Sequence, residues 1–220
     1  MFCTCSCIID NKKDSQNSTD VLDLISSTYL QKGEETPMHY TEKPIPLKDG
    51  SYATLRSARE EDAAQLLQYL KITAGETAFL TREPEEVTMT LEKERAFIKK
   101  VEEGERELML LAFVDGRHAG NCSMTPAGSF LRYRHRCVVA VALYQEFWGL
   151  GLGRQMLETV LKEAAGCGYE QAELEVADGN DRAITLYESL GFRRFGTLPR
   201  NMKYANGSYR DVHWMMRELG

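Results

Sequence analysis

The chain has no apolar run of membrane-spanning length, so nothing in it reads as a transmembrane helix. Its first residues lack the apolar core of a secretion signal: Cys3, Cys5 and Cys7 are soon followed by Asp10, Lys12 and Lys13. Six cysteines in 220 residues are too few for a disulfide scaffold. Cys122, Cys137 and Cys167 sit in apolar stretches and read as reduced core residues. Basic residues are in the minority. The net charge of −6 excludes nucleic-acid binding through general electrostatic attraction. These absences point to a cytoplasmic protein whose partners include neither membrane nor nucleic acid. The tail cysteines lack a fourth ligand and the spacing of a zinc site, with His39 the nearest histidine, so no metal is expected.

The length fits one domain with an appendage. Residues 1–50 contain no Arg and no Trp and are rich in Ser, Thr, Asn, Asp and Lys. They are expected to form a polar, largely disordered extension, with Pro37, Pro44 and Pro46 marking a linker. Only Val21–Ile25 looks able to fold there, as a short helix capped by Ser18 or Asp20.

From residue 51 the patterning is that of a folded domain. Strands are predicted at Tyr52–Arg56, Glu107–Val114, His118–Thr125, Arg136–Tyr144, Gln171–Val176, Phe192–Leu198 and Tyr209–Met216. Asp115-Gly116 and Asn206-Gly207 mark two hairpin turns. Helices are predicted at Ala58–Leu70, with Ala63, Leu66, Leu67 and Leu70 inward, and from a Thr90 cap to Glu103. Two more are predicted at Gly151–Ala165 and Asp181–Leu190. A strand, glycine turn, helix and strand in succession form a crossover, so the strands at 136–144 and 171–176 should be parallel.

The most informative run is Phe147-Trp148-Gly149-Leu150-Gly151-Leu152-Gly153-Arg154. Alternate glycines leave the backbone bare, and the helix that follows presents unpaired N–H groups and a partial positive charge. The combination suits a bound phosphate. A nucleotide P-loop would need Lys-Ser or Lys-Thr after the glycines, and a dinucleotide fingerprint would need a sixth-position glycine where Arg154 or Met156 stands. Neither pattern is present.

The second motif is Asn180-x-x-Ala183-x-x-x-Tyr187-x-x-x-Gly191-Phe192. Taken with Trp148-x-x-Gly151-x-Gly153, it resembles the GNAT superfamily of acetyl-CoA-dependent N-acetyltransferases over about residues 52–218. Trp148 stands where that family usually has Gln or Arg. The resemblance implies an α/β (α+β) fold: a mixed, mostly antiparallel central sheet with a splayed parallel strand pair and flanking helices. Residues 51–220 would be the N-acetyltransferase domain. The co-substrate would be acetyl-CoA, with its pantetheine arm along the backbone near Val141 and Leu143. The N–H groups of Leu150, Gly151, Gly153 and Arg154 would hold its diphosphate. The Arg154 side chain would add a charge-assisted contact or lie in solvent. Asn180 would cap its helix, touch the cofactor, or do both.

The same resemblance implies that Tyr187 donates a proton to the departing CoA thiolate. A phenol's pKa of ~10 is close enough to a thiol's ~8.5 for that exchange. Packing is the alternative role, since Tyr187 shares a stripe with Ala183 and Leu190. No general base is assigned among Glu146, Glu173, Glu175, His118 and His135. By family position Tyr209, His213, Trp214 and the segment Thr77–Glu86 would shape the acceptor pocket; the alternative, favoured for Trp214, is an ordinary hairpin with one face in the core. The expected reaction is acetyl transfer to the primary amine of a small molecule or a protein N-terminus. The alternative is an acyl-CoA-binding sensor without catalysis. A homodimer is compatible with either, and the oligomeric state stays open.

Overall fold

A computed structural model describes residues 37–220. The expected helix at Val21–Ile25 and the three tail cysteines lie outside the described residues. Eight strands form one sheet: β1 (Lys43–Pro46), β2 (Tyr52–Ser57), β3 (Leu108–Val114), β4 (Arg117–Pro126), β5 (Arg136–Leu143), β6 (Gln171–Ala177), β7 (Arg193–Lys203) and β8 (Tyr209–Glu218). Their order across the sheet is β1-β2-β3-β4-β5-β6-β8-β7, and among the described residues only β5 and β6 run parallel. Among the described residues four α-helices flank it: α1 (Ala63–Glu76), α2 (Leu91–Glu102), α3 (Leu152–Gly166) and α4 (Asp181–Ser189). The mixed, mostly antiparallel sheet with one parallel pair agrees with the expected fold class.

Local chemistry explains where these elements start and turn. Asp115 and Gly116 both take positive φ, 50° and 75°, as a two-residue hairpin turn between twisted strands requires. The Thr90 hydroxyl accepts from the Lys93 N–H and caps α2. The first helix begins later than the sequence suggested. The Asp62 carboxylate accepts from the Arg59 N–H at 2.8 Å and is gripped by both terminal nitrogens of Arg56 at 2.7 Å, which holds residues 60–62 in a 3-10 turn ahead of α1. Its inward face is centred on Leu66, Tyr69 and Thr73, with Leu67 and Leu70 only half-buried. Pro44 and Pro46, read as a linker, instead lie in β1, which pairs antiparallel with β2 from Lys43↔Leu55 to Pro46↔Tyr52. This strand is at the end of the sheet, where a missing N–H costs least.

The sheet is covered on both faces. Along β3 the side chains alternate: Leu108 and Leu110 join the cluster under α3, whereas Met109 and Leu111 join the one under α1 and α2. Met156, Leu157, Val160, Leu161 and Ala164 of α3 are buried against the first face, as their spacing predicts. On the other face Leu66 and Tyr69 of α1 pack with Ile98 and Val101 of α2. Full burial of each such Leu, Ile or Val contributes roughly 1.5–3 kcal/mol.

Two antiparallel alliances pull the parallel pair apart. β5 is paired with β4 from Cys137↔Pro126 to Leu143↔Gly120, and β6 with β8 from Gln171↔Glu218 to Ala177↔Val212. Between themselves β5 and β6 match only at Arg136↔Gln171, Cys137↔Ala172 and Val138↔Glu173. Beyond that point they diverge.

Gly120 sits where β4 meets the end of β5. A Cβ there would run into the Ala142 carbonyl and come within 2.7 Å of the Leu143 Cα. Gly120→Ala should therefore lower unfolding stability by about 1–3 kcal/mol, the usual cost of forced overpacking. Urea denaturation of the purified variant measures the loss.

Candidate active site

The gap between β5 and β6 opens into a cavity of about 460 Å³. Val141, Leu143, Gly153, Asn180 and Tyr187 line it together with Trp148. Leu150, Gly151 and the Arg154 side chain lie at the glycine turn, outside the lining. Tyr144 N–H donates to the Ala119 carbonyl on the β4 side. By strand alternation, Val141 and Leu143 turn their own N–H and C=O groups the other way, toward the gap.

The glycine turn feeds α3 as its pattern requires. Gly149 and Gly151 have φ of 85° and 83°, a conformation that side chains with a Cβ rarely adopt. The first backbone bond into α3 runs from Gln155 N–H to the Gly151 carbonyl. The N–H groups of Leu150 through Arg154 therefore have no main-chain partner among the described residues. The Arg154 side chain leans over α4 instead, donating to the Ser189 hydroxyl and to Glu158.

Trp148 has a role that the sequence did not disclose. Its indole N–H donates to the Leu143 carbonyl at 3.0 Å, and the Arg182 guanidinium lies 4.9 Å from its ring centre. The indole thus occupies the outermost carbonyl of β5. The neighbouring carbonyl is held too: the Tyr69 hydroxyl reaches from α1 to Ala142 at 2.8 Å and lies 3.2 Å from the Asn121 Oδ1. Tyr69 and Asn121 both line the cavity and were missed from sequence. The available signals were a phenol at helical spacing from Leu66 and Thr73, and one amide within a predicted strand.

Asn180 caps α4, its side chain accepting from the Ala183 N–H at 3.3 Å. One helix thereby carries this cap at its start and Tyr187 near its end. Tyr187 packs edge-on against Phe192, with ring centres 6.0 Å apart, and burial raises its pKa well above the ordinary phenol value. It stays protonated at neutral pH. Its hydroxyl has no hydrogen-bond partner among the described residues.

The candidates for a base separate clearly. Glu173 is engaged by Arg136, at 2.8 Å from Nη2, and by Gln171. Glu146 pairs with Arg117. His118 is buried among Tyr69, Phe113 and Tyr144 outside the cavity lining, and desolvation pushes its pKa down to about 4. His135 stands beside the start of β5, at the end away from the gap. Of the carboxylates considered, Glu175 alone lines the cavity, where it accepts from the Trp214 indole at 3.0 Å.

The residues expected to shape an acceptor pocket divide. Thr77, Phe79 and Arg82 line the cavity, but Tyr209, His213 and Trp214 do not. His213 is held between Thr197 and Asp178, at 2.9 Å from each, and Trp214 stacks on Phe195. Met202 and Val212 contribute from β7 and β8 instead. Among the described residues there is no cluster of three metal-ligating side chains, and no helix is long and apolar enough to cross a membrane.

The model of the Acetyltransferase (GNAT) family matches residues 66–192, more than half of the chain. The chain belongs to the GNAT family. Its sequence is 28% identical over 112 residues to the L-amino acid N-acyltransferase MnaT of Escherichia coli, a match spanning 50% of this chain and 64% of that protein. Its fold is similar to a GNAT acetyltransferase from Streptococcus pneumoniae, with a TM-score of 0.72 and 29% identity over 76% of this chain and 99% of that one. It is also similar to the yncA acetyltransferase of Salmonella typhimurium, a structure solved with acetyl-CoA. That TM-score is 0.66, at 23% identity over 76% of this chain and 94% of the other.

This GNAT domain also buries an acid that lacks a full set of partners. Glu94 on α2 is 1% exposed, its Oε2 has no partner, and desolvation lifts its carboxyl to about 7 against the pull of Arg82. Between the ordinary carboxylate value of 4.5 and about 7, the folded state keeps a proton that the unfolded chain has released. Stability should therefore fall as pH rises through that window and level off above it. Glu94→Gln should abolish the slope, melting higher than wild type at pH 8 and alongside it near pH 4. Thermal melts across that range check this.

Proposed function

We propose that this chain transfers the acetyl group of acetyl-CoA to the primary amine of a small molecule or a protein N-terminus. The observation that carries the reading is the parting of β5 from β6 after Val138 and Glu173. It leaves a bare strand edge at Val141 in a cavity that reaches Gly153. An extended amide-bearing arm finds hydrogen-bond partners along that edge, as an added strand would. The N–H groups of Leu150, Gly151, Gly153 and Arg154 hold its diphosphate at the positive end of α3. Trp148 already occupies the Leu143 carbonyl, so the arm pairs with Val141 and with the Leu143 N–H. The Asn180 side chain caps α4 through its oxygen and keeps its NH2 for the cofactor.

The neutral amine attacks the thioester carbonyl, and the C–S bond breaks as the amide forms. Tyr187 gives its phenolic proton to the leaving thiolate. Burial keeps the phenol protonated until the thiolate forms, and it also makes the group a weaker acid than a free phenol. Glu175 is the candidate to take the proton that the amine sheds. The acceptor enters from the side of Thr73, Phe79, Arg82 and Asn121. The Escherichia coli relative, named for acylating L-amino acids, supports a compact amine as acceptor. The reading places the enzyme in the cytoplasm, in keeping with the free thiols of Cys137 and Cys167.

Tyr187→Phe should lower turnover by about 10²-fold, a typical contribution of a positioned proton donor, with little change in acetyl-CoA affinity. Thiol release in the presence of an amine panel measures the first, and calorimetry the second. Unchanged turnover across several pH values would remove Tyr187 from the mechanism. No thiol release by wild type with any amine would favour the sensor.

A further inference from the structure

Lys48 lies ahead of the family span 66–192, yet the fold lays it across the glycine turn. It belongs to the turn between β1 and β2. Leu47 roots that turn in the main core, and the Lys48 N–H donates to the Leu150 carbonyl at 3.0 Å. Gln155 of α3 adds a bond from its side chain to the Pro46 carbonyl. A Cβ on Gly151 would meet Cγ, Cε and Cδ of Lys48 at 3.2, 3.3 and 3.5 Å. The lysine stem therefore runs directly over the left-handed glycine that opens α3.

Its charge is placed against the local field. Lys48 is exposed and forms no ion pair among the described residues. Asp49 beside it is turned away, its carboxylate accepting from the N–H and hydroxyl of Ser51 at 3.0 and 2.7 Å. A cation at a helix N-terminus faces the positive end of the dipole, which repels it. An anion at the same spot reverses the balance, since ammonium and amides then share one negative charge.

We propose that Lys48 is a further cofactor-binding residue, its ammonium closing over the phosphates of CoA opposite the α3 amides. This rests on the acetyl-CoA reading above. It makes the β1–β2 turn a working part of the site.

The test is calorimetric titration of the full chain with CoA and with acetyl-pantetheine, which lacks phosphates. Lys48→Met keeps the stem over Gly151 and removes the charge, whereas Lys48→Arg keeps the charge. CoA should bind Lys48→Met about tenfold more weakly than wild type, as expected for a lost charge-assisted hydrogen bond. Its affinity should also depend less on salt. Lys48→Arg should match wild type, and acetyl-pantetheine should bind all three alike. Equal CoA affinity in wild type and Lys48→Met would overturn the role of Lys48 and leave the acetyl-CoA reading standing. Equal weakening toward both ligands would reduce Lys48 to packing and overturn it as well. Wild type that takes up no CoA would overturn both.

Discussion

The structure turns on a competition for strand partners. β5 and β6 are parallel neighbours joined by a helical crossover, yet each is more fully engaged by an antiparallel strand on its far side. They share three residue pairs and then separate. The candidate site follows from that separation. It bares one edge of β5, makes room for a cavity in the middle of the sheet, and points that cavity at the start of α3. A sheet with β5 and β6 paired to their ends would close that cavity.

The edge so exposed is finished by side chains from elsewhere. α3 begins at the glycine turn just after β5, and α4 closes the other wall with Asn180 at its start and Tyr187 near its end. The β1–β2 hairpin straps the outside of the glycine turn through the Lys48 N–H, which donates to Leu150, and the Pro46 carbonyl, which accepts from Gln155. Burial sets the chemistry of this region as much as proximity does. It keeps the Tyr187 phenol protonated, strips His118 of basicity, and leaves Glu94 poised near neutrality, each through loss of hydration rather than through a dominant charged neighbour.

Most of the architecture was legible because its signals are local. Asp115-Gly116 fixes its hairpin by backbone conformation, Asn206-Gly207 adds side-chain bonds from Ser208 to the Asn206 Oδ1, and the spacing of Met156, Leu157, Val160 and Leu161 fixes the buried face of α3. β1 escaped detection because Pro44 and Pro46 are strand breakers everywhere except at a sheet edge, and position in the sheet is not a local property. The start of α1 was misjudged for a similar reason: the Asp62 carboxylate that delays it is itself held by Arg56, from the preceding strand. Around the cavity, the glycines and the Asn180–Phe192 motif stood out by residue type. Tyr69, Asn121 and Lys48 did not, since each matters through a neighbour 50 or more residues away. His213 and Trp214 show the converse, residues of suggestive chemistry that the sheet turns toward Asp178 and Glu175.

The two clamped carbonyls at the end of β5 have a thermodynamic corollary. Tyr69 and Trp148, from different elements, fix the Ala142 and Leu143 peptide planes before any ligand arrives. The conformational entropy of that segment is surrendered during folding, so an incoming arm need forfeit little beyond its own freedom. Loosening either aromatic would move that entropic charge from the folding reaction to each encounter with ligand. Affinity would then suffer beyond the loss of any contact that the aromatic itself makes in the cavity.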